Sequence, residues 1–520
     1  MSKYRLMGLV TAVIVLTGCH HEMINGSRQA PARTIENAKR SESVERKNYP
    51  GMTIKQNQRF QVIESFGASG AWWAQYVGGW DNPCEDGTMT VREKIARLLF
   101  CKQEGIGLSC YRYNVGAGSK GVENRIKDPW RSTETFDVGP GQYDFDRDAN
   151  AVWFLNKAVA YGVPEIIFFA NSPPVRLTEN KKGHMDDKNK PNLLEENYDD
   201  FANYMLDIAA HFIHQGVPVK YISPINEPQW AWEKGQEGAH YKTKEIVGIL
   251  RTFILELEKR KDLKGLKISG PESGEWGGKT REYINAMLAD EVIDNHMETI
   301  DNHSYWTRLE TKEAFRYFMD RFYPNKKLCT SEWCEMVNGR DYTMDSAFNL
   351  VEEVFDDLTV LDVVSWQLWI AVSRYNYRDG LIYVDEDTQS LSPAKRLWAY
   401  GNFTKFVRPG FTRIGVSTPY ADLSDLKSIA FENDSQIVVV VINRGEEKEF
   451  VLDFEQATVI KRVKIYETSA ERDLVPIMDK EYAKETVIKI NPASVNTIVL
   501  EKQTQSALLF GQNHKAMNNE

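Results

Sequence analysis

Eight times between residues 65 and 369 a short apolar or β-branched run stops at polar or glycine residues, and this repetition limits the fold more than any other feature of the chain. The runs are SFGASGAW (65–72), LSCYRYNVG (108–116), EIIFFANSPP (165–174), YISPINEP (221–228), LKISGPESG (266–274), TIDNHSYW (299–306), KLCTSEWCE (327–335) and DVVSWQLW (362–369). Between them lie stretches with helical periodicity, among them VREKIARLLFCKQEG, ENYDDFANYMLDIAAHFIHQG and YKTKEIVGILRTFILELEKRK. Eight strand-helix units over about 340 residues predict an α/β fold, a (β/α)8 TIM barrel at 64–405, with its chemistry where the strands end. The alternative is a doubly wound open sheet, which binds its ligand near one switch point and need not load every strand end with polar residues.

After Arg408-Pro409-Gly410 the pattern changes. IVVVVINRG, KEFVLDFE, VKIYET, ETVIKI and NTIVLEK alternate with no helical run between them, which predicts an all-β sandwich at 406–502. MTIKQNQRFQVI, within 50–63, is expected to add a strand to it, and 503–520 reads as a loose tail. A chain of 520 residues is long enough for two such units, because single cores stop growing at roughly 250–300 residues.

The N-terminus reads as a targeting segment. MSKYRLMGLVTAVIVLTGC has Lys3 and Arg5, an apolar run from Leu6 to Leu16, then small residues and a cysteine, and it is too short to be a good membrane span. Its LTGC ending resembles a bacterial lipoprotein signal over residues 1–19, which implies cleavage before Cys19 and lipid on that cysteine. His20, where a retention Asp would stand, implies the outer rather than the inner membrane. Residues 20–49 are polar and weakly patterned, as expected of a flexible tether. The expected membrane contact is this lipid anchor alone.

With 64 Lys+Arg against 74 Asp+Glu, the net charge of −10 argues against nucleic acid as a partner. Thirteen Trp, 23 Tyr and 23 Phe supply flat apolar faces that suit sugar rings, although core packing claims most of them. No CxxC, HExxH or phosphate-binding glycine loop is present, and His20 and His21 have no further ligand nearby, so neither a metal nor a cofactor is expected. Beyond Cys19 there are Cys84, Cys101, Cys110, Cys329 and Cys334, an odd number. Cys329 and Cys334 straddle Glu332, either as a disulfide or as two thiols. A monomer is expected.

Two strand ends carry the chemistry. Asn226-Glu227 ends the fourth run and Glu332 lies in the seventh, so a barrel lets two carboxylates flank one bond across its top. That is the minimum equipment for cleaving a glycosidic bond: one group protonates the leaving oxygen and the other attacks or activates water. Whichever carboxyl is the acid needs a raised pKa, and the other needs donors that keep it ionised. Inverting hydrolysis, or sugar binding without catalysis by a surface lipoprotein, are the competing readings.

SPINEP followed by TSEW resembles the clan of retaining glycoside hydrolases. SFGASGAWW, Arg112 in YRYN, HSYW, WQLW and WAYGNFTKFVRPG are similar to family 30 in particular, over about residues 50–500. The resemblance implies Glu227 as acid/base, Glu332 as nucleophile, Asn226 on the hydroxyl next to the anomeric carbon, and His303 and Trp366 shaping that subsite. With those roles the acid is Glu227, and Arg112 and Tyr305 are the candidate donors to Glu332. Asn171 and Trp72 are further candidates for substrate contact, while Glu237, Glu275 and Glu335 read as surface carboxylates. The third strand, FFANSPPVRL, lacks a tryptophan that several members carry. NYRDGLIYVD resembles relatives acting on β-1,6-galactan or β-xylosides, so a β-linked glycan is the expected partner. Endo-β-1,6-galactanase is the leading activity, with xylanase, xylosidase or β-1,6-glucanase as alternatives.

Overall fold

Each of the eight runs contains a strand in the structure, a computed structural model that describes residues 49–121, 126–187, 189–420 and 424–503. They are β1 (Ser65–Ser69), β2 (Cys110–Asn114), β3 (Glu165–Phe169), β4 (Val219–Ser223), β5 (Lys267–Ile268), β6 (Thr299–His303), β7 (Lys327–Glu332) and β8 (Ser365–Leu368). All pair in parallel in the order β5-β4-β3-β2-β1-β8-β7-β6. The ring closes between β5 and β6 by a bridge from Pro271 to Asp301, with Asp301 N–H on Gly270 O at 3.1 Å and Glu272 N–H on Asp301 O at 2.9 Å. This is the eight-stranded barrel, and its strands are short and almost wholly buried because helices cover the outside.

The predicted helices are Val91–Phe100, Tyr198–His214 and Thr243–Glu258. Each buries one apolar stripe, such as Ile246, Ile249, Leu250, Phe253, Ile254 and Leu257 in the last. None of the helices among the described residues is long and apolar enough to cross a membrane. Cys19 and the proposed signal and tether lie outside the described residues, as does the tail from 504.

The β domain is one nine-stranded sheet folded on itself. Gly51–Val62 lies within it, antiparallel to Thr412–Ser417 and parallel to Lys448–Phe454, so the chain starts in the second domain before entering the barrel. Gln436–Asn443 is not half-buried. Ile437, Val439 and Val441 pack into the inner core of the β domain, while Val438, Val440 and Ile442 join the barrel's core. A strand covered on both faces reads as the unbroken run IVVVVI. The helix Lys395–Thr404 joins the two domains: Asn402 Nδ2 donates to Thr497 Oγ1 at 2.9 Å and its Oδ1 accepts from Thr468 at 2.8 Å. A three-stranded extension, Ile370–Ser373, Gly380–Asp385 and Ser390–Pro393, follows β8 and was not apparent as strands in the sequence.

Candidate active site

Regular pairing ends at the top of the barrel, yet backbone bonds continue outward and fix the loops that carry the chemistry. Glu227 N–H donates to Glu272 O at 2.8 Å, His303 N–H to Ser273 O at 2.8 Å, and Ser304 N–H to Glu332 O at 3.2 Å. The β6–β7 register slips between Thr330 and Glu332, and such a bulge re-aims the side chain that follows it. Glu227 and Glu272 take positive φ angles of 42° and 49°, a left-handed backbone that typically costs on the order of 1–3 kcal/mol and persists only when the surroundings impose it. Gly274 is needed here for close approach, because a Cβ would come within 3.0 Å of Glu227 Oε1.

Glu227 and Glu332 converge. One carboxylate oxygen of each and a ring nitrogen of His303 all lie within 4.8 Å of one another. Arg112, fully buried on β2, donates to Glu332 Oε2 at 2.9 Å, to Asn226 Oδ1 at 3.1 Å and to Glu272 Oε2 at 2.5 Å, while lying 3.5 Å over the Phe169 ring. Tyr305 Oη donates to Glu332 Oε1 at 3.0 Å. With its amide oxygen taken by Arg112, Asn226 turns its NH2 group toward the cleft that it lines.

Electrostatics set the protonation of this group. Burial alone would raise Glu272, but the Arg112 charge and the His303 hydrogen bond outweigh it and hold the carboxyl down at about 2. Burial alone would lower His303, but Glu332, Glu227 and Glu272 outweigh it and raise the imidazole to about 10. Its Nδ1 faces Glu227 Oε1 at 3.2 Å and its Nε2 faces Glu272 Oε2 at 3.1 Å, so the protonated ring donates both ways. The three side chains have the spacing of a metal site, but a protonated imidazole is a donor and not a ligand, and it occupies the place of a cation. Glu332 departs from the expectation that its donors keep it low. Complete burial pushes its carboxyl up against the lowering charges of His303 and Arg112, and the neighbouring Glu227 adds to the push.

Glu272 was not among the predicted site residues. The signal that could have found it is a carboxylate beside a proline at the end of the fifth run, the same signature as Glu227 at the end of the fourth. The cleft, about 640 Å³, is lined by Asn226, Glu227, Glu332, Tyr305 and Trp72, and also by Trp230, Trp232, Trp306, Trp369, Arg131, Tyr375 and Asp379, which the sequence did not single out. Trp230 and Trp306 are 42% and 59% exposed, flat faces left open at the rim.

Several expectations are corrected. Trp366 does not shape the subsite: it is fully buried, donates from Nε1 to Asp357 at 2.9 Å and packs on Tyr400, so Trp369 takes the place at the cleft. Asn171 is buried behind the cleft wall with its Nδ2 3.4 Å from Asn114 Oδ1, and it does not line the cleft. Glu237 is no surface carboxylate. It accepts from the backbone of Ala117 and Ser119 and from the Ser119 and Thr133 hydroxyls, which ties the loop after β4 to the loop after β2. Glu335 is buried too, bonded to Ser346, Asn349 and Arg378, and it braces the loop after Glu332. Glu275 is half-buried and lies outside the cleft lining. Cys329 and Cys334 are separate buried thiols, as the other described cysteines are unbonded to each other.

A (β/α)8 barrel with acidic side chains meeting above strands four and seven, beside a β domain, defines a glycosidase of the retaining class. The model of O-glycosyl hydrolase family 30 matches residues 51–383, and the chain belongs to that family. It is 23% identical over 436 residues to an endo-beta-1,6-galactanase from Hypocrea rufa, covering 78% of this chain and 84% of that protein. It is 24% identical over 364 residues to a glucuronoxylanase from Bacillus subtilis, covering 65% and 74%. Among solved structures, a conserved exported protein from Bacteroides fragilis superposes with a TM-score of 0.76 at 25% identity, covering 86% of this chain and all of that one (100%).

Proposed function

We propose that this protein is an endo-acting hydrolase of β-1,6-linked galactan that works by double displacement, with Glu332 as nucleophile and Glu227 as acid/base. The observation that carries the roles is the unequal supply of donors to two carboxyls that approach within 4.8 Å. Glu332 faces Arg112, Tyr305 and, at 3.5 Å, His303; among the described residues Glu227 has the His303 ring as its side-chain partner. The mechanism requires Glu332 ionised and the proton on Glu227, and the Arg112 and Tyr305 donors on Glu332 favour that form. An approach of one oxygen of each carboxyl to within 4.8 Å supports retention, for which the groups lie about 5–5.5 Å apart, over inversion, for which roughly 6.5–9.5 Å leaves room for a water.

In the first step Glu332 attacks the anomeric carbon while Glu227 protonates the leaving oxygen. Asn226 offers its NH2 to the neighbouring hydroxyl. Glycosylation removes the negative charge of Glu332, so Glu227 now accepts a proton from water, which cleaves the glycosyl ester and restores both groups. The galactan reading is supported by the Hypocrea rufa relative, and endo action by the exposed Trp230 and Trp306 at the rim, where further sugar units of a polymer can stack. The LTGC segment supports lipid attachment at Cys19 and residence on a bacterial outer membrane, where the protein would act as a monomer.

Azide separates the two roles. With an activated aryl β-glycoside, Glu332→Gly plus azide is expected to give the α-glycosyl azide and Glu227→Ala plus azide the β-glycosyl azide. The opposite pairing would reverse the assignment. Sizing the products from β-1,6-galactan, β-1,6-glucan and xylan tests the substrate: short oligomers from galactan first are expected, and preference for either other polymer would replace that reading.

A further inference from the structure

Two buried polar atoms on the cleft wall have no hydrogen-bond partner among the described residues: Oδ1 of Asp379 and Nε1 of Trp72. An orphaned buried acceptor is destabilising, and one that sits in a cleft lining is placed where an occupant can supply the missing donor. Asp379 is 5% exposed and is neither of the two carboxylates of the reaction.

Its placement is built rather than incidental. The fully buried Arg396 donates to the carbonyls of both flanking residues, Arg378 and Gly380, the latter at 2.6 Å, and to the Tyr383 hydroxyl. Arg378 is held in turn by Glu335 at 2.9 Å, and the strand Gly380–Asp385 begins immediately after. The Asp379 peptide is therefore pinned on both sides, which fixes where the carboxyl points. Burial pushes that carboxyl up to about 6, against the lowering pull of Ser373 and Arg396. Trp72 is fixed as well, edge-on to Trp369 at 5.0 Å and with Arg131 4.8 Å over its face.

From this geometry we infer that Asp379, with Trp72 lining the same cleft, reads a hydroxyl on the remote edge of a neutral sugar ring bound at the catalytic carboxylates, and so sets which hexose the enzyme accepts. The inference rests on the glycosidase reading above. Glu227, Glu332 and Asn226 come from the β4 and β7 sides and engage C1 and the C2 hydroxyl. Asp379 comes from the segment after β8, which leaves it the C3, C4 or C6 hydroxyl, of which C4 and C6 distinguish the sugars compared in the test. Asp379 offers an acceptor and Trp72 Nε1 a donor, so the wall they share can bond ring hydroxyls in both directions. A site built to bond a hydroxyl rejects the analogue that lacks or misplaces it by roughly 10⁴–10⁵-fold, much more than a shape-only pocket achieves.

The test compares kcat/KM on β-1,6-galacto-oligosaccharides and β-1,6-gluco-oligosaccharides of equal length, which differ only at C4, and on the para-nitrophenyl β-galactoside and its C6-deoxy form, the β-fucoside. Wild type, Asp379→Ala, Asp379→Asn and Trp72→Phe are compared, with Tm measured for each. The expected result is a wild type that discriminates strongly in at least one pair, and an Asp379→Ala variant in which that ratio falls on the order of 10²-fold toward unity because the preferred sugar alone is lost. Asp379→Asn, which keeps an acceptor, should recover part of the ratio, and Tm should hold in both. Equal loss on every sugar, no loss on any, or a wild type that cleaves both members of each pair equally would overturn the inference while leaving the glycosidase reading intact. A wild type inactive on all four but active on xylan would overturn the inference and the galactan reading together, and one inactive on every glycan would overturn the glycosidase reading as well.

Discussion

Both ends of the barrel carry clusters of Glu with basic side chains, and they differ by one charge. At the N-terminal end, Glu64 and Glu165 meet Lys220 and Lys327: Lys220 bridges the two carboxylates at 2.9 and 2.8 Å, and Lys327 reaches Glu64 at 2.8 Å. Two anions face two cations, and the lysines are 37% and 48% exposed. At the C-terminal end three carboxyls, Glu227, Glu272 and Glu332, face two cations, Arg112 and protonated His303, and all five side chains are at most 9% exposed. A balanced cluster has no proton to give. The three-to-two cluster is neutral only when one carboxyl holds a proton, and Glu272 at about 2 is not the holder. In the proposed mechanism that surplus carboxyl is the proton donor, whereas the bottom cluster only pairs its charges.

The largest expected effect breaks the surplus itself. Glu227→Gln should lower kcat/KM by roughly 10²–10⁴-fold on substrates with poor leaving groups, and less on activated aryl glycosides that need no acid. Steady-state rates across a leaving-group series check this. Next comes Glu272→Gln, which leaves Arg112 buried beside one fewer anion. Breaking a buried pair in this way typically costs about 3–5 kcal/mol, to be read from urea unfolding, and activity should fall with it because Arg112 and His303 lose their anchor.

The third prediction concerns pH. His303 is raised from 6.5 to about 10, so the stability its proton supplies is complete below about pH 6.5 and is lost as pH rises through about 10. Wild type should lose stability over that interval more steeply than His303→Gln, and activity should show an alkaline limb as the ring is neutralised among Glu227, Glu272 and Glu332. Parallel pH profiles for the two proteins would contradict the assignment.

Smaller effects separate cleft from core. Trp306→Ala should raise KM on polymer with stability changed by no more than about 0.5 kcal/mol, as is usual for an exposed position. Trp366→Phe should do the reverse, leaving KM alone and costing about 1–3 kcal/mol because Asp357 loses a buried donor. At the bottom cluster, Lys327→Ala should cost only about 0.2–1 kcal/mol and leave kcat/KM unchanged.

The barrel was legible because each strand ends the same way, with an apolar run stopping at polar or glycine residues, a pattern local to ten residues. Glu227 and Glu332 were legible at their strand ends, while the resemblance to family 30 pointed to Arg112 and Tyr305, both of which bond Glu332. Glu272 was not singled out: a Glu beside a proline at the end of a run is a weak signal that exposed carboxylates share, and its role depends on Arg112 and His303, 160 and 31 residues away. Trp366 and Trp369 differ only in which side of β8 they leave, and a strand's alternation alone does not say which side faces sugar. The extension after β8 escaped notice because its first strand pairs with the second in parallel across a short loop, without a hairpin signal.

The most direct test of the account is the anomeric configuration of the sugar released in the first turnovers, read by proton NMR before mutarotation on whichever glycan the enzyme cleaves. Glu332 as nucleophile beside a protonated Glu227 predicts that the β-anomer appears first and the α-anomer only later. The α-anomer appearing first would mean a single displacement by water, and the assignment of Glu332 would be wrong.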